Sequence, residues 1–314
     1  MNKKKNMIGI LITLVGGIFW GLSGACGQYL FQNKEVFAKW LVPVRLLIAG
    51  GIMLSYFIIK DRKTTMKVWK GKRNIIDIII YGIAGMMLCQ YTYFATIELS
   101  NAGTATVLQY VAPVLIMITI CIREKKFPKV NEIIAIICAL SGVFLLATHG
   151  NINQLVISKE TLFMGLASAV TVVIYNIQPK NLMTQFSTPL LLAWAMLIGG
   201  GVLTIIFKPW IYTPIVDTDS IIALIVIIFL GTIASFSLYM EGVKLIGPTK
   251  ASLYACIEPV AAAVLSTVWL KNTIGFIDVI GFVLIVSTIF ILLCTNSPKK
   301  NEESEAIKLE SMKS

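Results

Sequence analysis

A carboxylate followed by a proline, Glu258-Pro259, stands inside an apolar run of this 314-residue chain. The pair begins about ten residues into a run of about twenty, so at about 1.5 Å per residue the carboxylate would lie about 15 Å deep in hydrocarbon. A charge at that depth is tolerated only if it is protonated, paired or wet. Three roles fit. Glu258 could couple to a proton or bind a cation at a central cavity, satisfy backbone groups freed by Pro259, or touch a substrate directly. Arg45, a turn or two inside its own run, either reaches the interface or joins an acid within a bundle, and a structural ion pair is the favoured role.

A second set is polar and aromatic: Trp20, then Gln90, Tyr91 and Tyr93, Gln109 and Tyr110, Tyr175 and Asn176, Tyr239, and Tyr254. Rings with one polar end suit a partly wet cavity and stack on aromatic, aliphatic or cationic metabolites, while Gln and Asn would fix a carboxylate or amine. Each residue alone is also accounted for by an interhelical hydrogen bond or an interfacial anchor. The chain carries no HExxH, P-loop or GxSxG motif, no clustered acids and a single histidine, His149. These absences point away from an enzyme, a metal site and an ATP-driven pump. No cofactor is expected, and proton coupling would supply the driving force.

The elements that must hold these groups follow from composition. With 57% hydrophobic and 14% charged residues, and a mean hydropathy of +0.82, the chain has more apolar surface than a soluble domain of its size could bury. Lipid must solvate it. The net charge of +11 sits between apolar runs without a recognition motif, which excludes nucleic acid as a partner. Cys26, Cys89, Cys121, Cys138, Cys256 and Cys294 fall in or beside apolar runs with no CxxC pair, so they read as small packing residues.

About ten runs reach the roughly 20 residues needed to cross about 30 Å of hydrocarbon. They lie near 8–30, 37–59, 75–98, 103–122, 131–148, 161–180, 188–207, 220–243, 249–270 and 275–295. The prediction is an all-α integral membrane protein with antiparallel neighbours. Basic residues crowd Lys60–Arg73 and Arg123–Lys129, which places those loops, the Lys244–Lys250 turn and both termini in the cytoplasm of a multi-pass bacterial inner-membrane protein. The polar tail, 296–314, is expected to be disordered.

The chain also repeats itself. An offset of 259 − 113 = 146 sets Pro259 on Pro113, Val260 on Val114, Tyr239 on Tyr93 and Asp278 on Glu132. At another offset Gly9-Ile10 echoes Gly165-Leu166. Five spans per copy is odd, so the second copy enters the membrane inverted, an arrangement that places a site near the midplane and permits alternating access. The expected division is 1–148, five spans; 149–160, an external linker; 161–295, five spans; and the tail. Pro113 and Pro259 should each kink a span near the midplane.

Phe19-Trp20-Gly21, Arg45-Leu46-Leu47-Ile48-Ala49-Gly50, Ser100-Asn101-Ala102-Gly103, Ala112-Pro113-Val114 and Glu258-Pro259-Val260 together resemble the drug/metabolite transporter superfamily, of the EamA type. The resemblance runs from about residue 8 to about 295. It implies two inverted five-helix repeats, a cavity lined by the spans that carry the polar and aromatic set, and export of a small amphipathic metabolite such as an amino acid. The Gly-Glu often found after the fourth and ninth spans is replaced here by Arg123-Glu124 and Leu270-Lys271-Asn272, which removes the basis for a role of that acid. Uptake of a quaternary amine is the alternative. A non-transporting sensor or an intramembrane enzyme is the alternative of another class. The partners expected are a small-molecule substrate and the lipid bilayer, with a homo-oligomer among the arrangements open to such a bundle.

Overall fold

The computed structural model describes residues 3–125, 127–151, 156–246, 251, 254, 255 and 257–295. The tail, Lys126, Cys256, residues 152–155 of the linker and 247–250 of the basic turn lie outside the described residues. Every regular element among the described residues is helical. Eight are long and apolar enough to cross a membrane: α1 (Lys3–Asn33), α2 (Ala38–Lys67), α3 (Lys72–Leu99), α4 (Ala102–Glu124), α5 (Val130–Thr148), α6 (Lys159–Met183), α7 (Thr188–Phe207) and α8 (Thr218–Val243). The apolar helices α9 (Ile257–Val268) and α10 (Phe276–Thr295) follow.

Hydrocarbon offers the backbone no partner, so each crossing segment closes its hydrogen bonds within itself. Hydroxyls obey the same constraint by donating back to the preceding turn. Thr92 donates to Leu88 O at 2.7 Å, Thr96 to Thr92 O at 2.7 Å, Thr106 to Ala102 O at 2.8 Å and Thr148 to Phe144 O at 2.8 Å. Helix starts are capped by side chains: Asn101 Oδ1 accepts from Thr104 N at 2.8 Å, Ser158 Oγ from Thr161 N at 3.0 Å and Asp217 Oδ1 from Ser220 N at 2.9 Å. Helices outrun the expected spans at several ends. In α2 the apolar stretch stops near Ile59, but Asp61 bends the chain (φ −159°, ψ 87°) and caps Thr64 N, so a further helical turn carries the basic residues.

The bundle has two faces, one carrying the basic loops after α2 and α4, the other carrying the α1–α2, α3–α4 and α9–α10 connections. Helices pair as an inverted duplication requires. α2 lies on α7 and α5 on α10, while α1 packs on α8 as α6 packs on α3. The α2–α7 seam is reciprocal: a Cβ on Gly50 would meet Leu197 Cγ and Met196 Cβ at 3.0 Å, and one on Gly200 would meet Leu46 Cβ at 3.0 Å and Leu47 N at 3.1 Å. The register is 200 − 50 = 150, under which Leu47 matches Leu197 and Arg45 matches Ala195. Such self-complementary contact is the mark of a two-fold interface.

The duplication extends to backbone irregularities that no residue pattern announces. A π-helical segment occupies Tyr81–Met87 in α3 and another Val226–Ala234 in α8. Their ends differ by 226 − 81 = 145 and 234 − 87 = 147, bracketing the offset of 146. The prolines act as expected in α4. The helix runs Ala102–Gln109, is interrupted at Tyr110 (ψ 3°) and Val111, and resumes as Ala112–Glu124 with Pro113 in its first turn. Pro259 is buried in the first turn of the described α9.

The tight α2–α7 seam gives a direct test. Gly50→Leu should overpack it and cost about 1–3 kcal/mol, whereas Gly51→Leu, with nothing within 4 Å of its Cβ position, should be tolerated. Thermal unfolding of the detergent-solubilised variants compares the two; equal midpoints would refute the seam.

Candidate substrate site at the repeat interface

Pro259 has no N–H, so the carbonyl four residues earlier, Ala255 O, loses its helical partner. Tyr110, at the break in α4, turns its hydroxyl to that place: Oη lies 3.3 Å from Ala255 O and 3.0 Å from Glu258 Oε2. The broken helix α4 and the proline-bearing α9 segment therefore meet through one phenol, which serves the freed carbonyl and the carboxylate together. Glu258 itself is half-buried.

Around this junction the structure gathers most of the polar set. Beside Tyr110, Gln109 Nε2 donates to Ser168 Oγ of α6 at 2.6 Å and lies 3.9 Å from Cys89 Sγ of α3. Tyr93 is buried, its hydroxyl 2.8 Å from Thr106 Oγ1 of α4. Trp20 of α1 meets two rings of α8, Phe236 edge-on at 5.2 Å and Tyr239 at 5.4 Å between centroids. Tyr175 stacks on Tyr81 at 5.4 Å. Gln90 and Tyr254 are half-buried on α3 and in the helical turn preceding α9. Two residues stand apart: Tyr91 packs against Phe207 of α7, and Asn176 is exposed and donates to Val172 O of its own helix. In α6 the inward position belongs to Tyr175.

Arg45 requires a correction. No carboxylate pairs with it among the described residues. It is 4% exposed, its Nε donates to Thr232 Oγ1 at 2.8 Å, Nη2 lies 3.5 Å from Gly231 O, and the guanidinium lies 4.7 Å above the Phe94 ring. Gly231 and Thr232 belong to the π-helical turn of α8, where wider backbone spacing leaves carbonyl and hydroxyl positions that a side-chain donor can serve. Arg45 thus fastens α2 to that turn, with the ring face in place of an anion.

Several partners carried no signal of their own in the sequence. Ser168, Thr106 and Thr232 are single hydroxyls in apolar helices, unremarkable until a neighbour points at them. Gln28 is another: buried in α1, its Oε1 accepts from Ala102 N of α4 and from Ser266 Oγ of α9, both at 2.9 Å. One amide oxygen thereby ties three helices together toward the face opposite the basic loops. Tyr29 stacks on Trp269 at 5.4 Å nearby. Beyond them Lys34, after α1, forms an ion pair with Asp217, ahead of α8, and Ile215 N donates to Lys34 O at 3.1 Å. The hydrogen bond from Lys34 holds the Asp217 carboxyl down to about 2, and the same bond raises Lys34 above its ordinary value.

These shifts fix a pH window. The depressed Asp217 contributes above its unfolded value of 3.8 and loses that contribution as pH falls toward about 2; the raised Lys34 contributes below 10.5 and loses it as pH climbs further. The difference in unfolding midpoint between the native chain and Lys34→Gln should therefore stay constant from about pH 5 to 8 and close below about pH 3. A difference that varies within the upper interval would disprove the pairing.

Comparison with known proteins follows this geometry. A family model described as the EamA-like transporter family matches residues 7–148 and again 159–294. An uncharacterized inner membrane transporter of Salmonella typhimurium, YicL, is 34% identical over 284 residues, covering 90% of this chain and 94% of its own. An uncharacterized transporter of Bacillus subtilis, YyaM, is 23% identical over 89% of this chain and 92% of its own. A solved crystal structure superposes with a TM-score of 0.61 over 90% of this chain and 96% of that one, at 16% identity, a likeness of fold alone.

Proposed function

The chain belongs to the EamA-like transporter family, and from that premise we propose that it is a secondary transporter that moves small amphipathic metabolites by alternating access and exports amino acids or related compounds. The observation that carries the reading is the Tyr110 junction. A carboxylate and a proline-freed carbonyl share one proton donor, a phenol from the other repeat, at the interruption of α4. A motion that separates the repeats must part that contact, and parting it changes what surrounds Glu258. A carboxylate whose surroundings change between two states is a natural place to take up and release a proton.

The basic loops are assigned to the cytoplasm, and both termini with them, by the positive-inside rule. Gln28, Tyr29 and the Lys34–Asp217 pair then close the external side, so the described arrangement has its seals outside. Substrate would lie among Trp20, Gln90, Gln109, Tyr175, Tyr239 and Tyr254, with the Trp20–Phe236–Tyr239 rings taking its apolar part and the amides its polar part. Those same three rings favour the second reading, uptake of a quaternary amine, since a cation over such faces is attracted by their quadrupoles. Catalysis has no comparable support, because the relatives are described as transporters.

Reconstitution into liposomes tests both. Flux of a labelled solute driven by a pH gradient is expected, and Glu258→Gln should abolish the driven accumulation while leaving substrate exchange at equal concentrations intact. Tyr110→Phe should lower stability by about 1 kcal/mol, the cost of a lost buried hydrogen bond, and should weaken the pH-driven accumulation. If Glu258→Gln leaves driven flux unchanged, Glu258 is a structural group. Counterflow by a quaternary ammonium compound but not by amino acids, lost in Trp20→Ala, would favour the second reading.

A further inference from the structure

Past Ile59 the apolar stretch of α2 ends, and the segment Lys60–Arg73 holds seven lysines and arginines against one acid, Asp61, a net charge of 7 − 1 = +6. All seven cations are exposed, and none pairs with a carboxylate among the described residues. A run of like charges repels itself and extends. Here the chain does the reverse. Asp61 leaves helical geometry (φ −159°, ψ 87°), and Thr65 Oγ1 then lies 3.0 Å from Phe57 O and 2.8 Å from Asp61 O, sharing its proton between them. A straight helix would set Phe57 and Thr65 about 12 Å apart, so the basic segment is folded off the axis of α2 instead of continuing it.

The bent segment is also fastened. Trp194 of α7 donates its indole Nε1 to Thr65 O at 3.3 Å and meets the Trp69 ring edge-on at 5.1 Å. Thr65 and Val68 are buried, while Arg62, Lys63 and Lys67 face outward. The segment is thus amphipathic, with a docked inner face and a cationic outer one. On the last turn of α2 before the bend, Tyr56 and Ile59 are exposed, and Lys60 Nζ lies 5.7 Å over the Tyr56 ring. Bare apolar groups mark the hydrocarbon, so the cations directly beyond them stand at headgroup level. Membrane topology requires such charges to lie on one side, not to be held in one place. The other basic loop, Arg123–Lys129, is offset by Glu124 within it and by Glu132, whose carboxylate accepts from Lys129 N at 2.6 Å.

We propose that the Lys60–Arg73 segment is a docking surface for the anionic phospholipid headgroups of the leaflet it faces. Unpaired cations gathered on a bent segment repel one another until anions come between them, and lipid phosphates are anions at the same depth. Folding the segment off the α2 axis keeps its cations within a Debye length of those phosphates. Arg62 can take a phosphate through two parallel N–H bonds, and Lys63 and Lys67 serve as point charges. The chain's own tail is a poorer occupant, because residues 297–314 hold four lysines and four glutamates and so no net charge. The inference goes beyond the transport reading and holds for any solute.

The test titrates the full chain, freed of lipid in detergent, with phosphatidylglycerol, phosphatidylcholine or glycerol 3-phosphate, and counts retained molecules by native mass spectrometry. Phosphatidylglycerol should bind at least about tenfold more tightly than phosphatidylcholine, a preference that shrinks as salt rises. Glycerol 3-phosphate, a phosphate without acyl chains, should show no saturable binding. Arg62→Gln, Lys63→Gln and Lys67→Gln together should cut the preference at least about tenfold, whereas Arg123→Gln, Lys125→Gln and Lys129→Gln together should change it less than about threefold. Unfolding midpoints in phosphatidylcholine should match the native one in both variants, since every replaced side chain is exposed. A measurement that needs no variant is hydrogen exchange of residues 60–73 in nanodiscs, which should slow when phosphatidylglycerol replaces part of the phosphatidylcholine. Equal retention of the two lipids, equal losses in the two variants, or exchange indifferent to lipid charge would each overturn the proposal. So would saturable glycerol 3-phosphate binding, which assigns the surface to a soluble phosphate. Slow exchange in phosphatidylcholine alone, lost when Glu302, Glu303 and Glu305 are changed to Gln, would overturn it in favour of the tail.

Discussion

In hydrocarbon a backbone carbonyl without a partner costs several kcal/mol, and the structure turns on one such carbonyl. Pro259 frees Ala255 O of its helical partner. The partner comes from the other repeat, and it comes from Tyr110, whose own position depends on the interruption that precedes Pro113. Each proline would be a defect alone. The break in α4 supplies the donor that the carbonyl freed by Pro259 needs.

The same constraint explains why the carboxylate is where it is. Glu258 does not satisfy the freed carbonyl, since an ionised carboxylate can only accept. It competes with that carbonyl for the Tyr110 proton instead. A single donor shared between a neutral and an anionic acceptor responds to the charge of the anion: an ionised Glu258 draws the phenol, and a protonated one releases it to Ala255 O and can donate in its turn.

Much of the frame was legible in the residues because it follows from lipid: the apolar runs, the basic loops, the inverted copy, and the paired prolines. The central set was legible only as types. Gln109, Tyr110, Tyr93, Trp20, Tyr175 and Tyr239 turn inward, but Asn176, a plausible amide by composition, points outward, because a helical face is decided by neighbouring helices and α6 presents Tyr175 to α3. Arg45 was misread for a physical reason. A buried guanidinium is expected to find an acid, but here a π-helical turn and an aromatic face provide the electron density. That turn follows no composition rule, and its twin in α3 appears only once the backbone is seen.

The two π-helical turns are equivalent by duplication but are held differently. At the position matching Arg45 in the second copy stands Ala195, which lies against Gly82 of the α3 turn through its carbonyl, 3.3 Å from where a Cβ would be. One turn is therefore stitched by a charged side chain to α2, and the other is merely packed against α7. Glu258 breaks the duplication in the opposite sense, its counterpart being Ala112. The first copy carries the cation, the second the acid, and each reaches across to a helix of the other copy. These two residues make the interface unequal: Arg45 fastens α2 to the α8 turn while the matching α7–α3 contact is left to packing, and Glu258 places an acid on one side only of the α4–α9 contact.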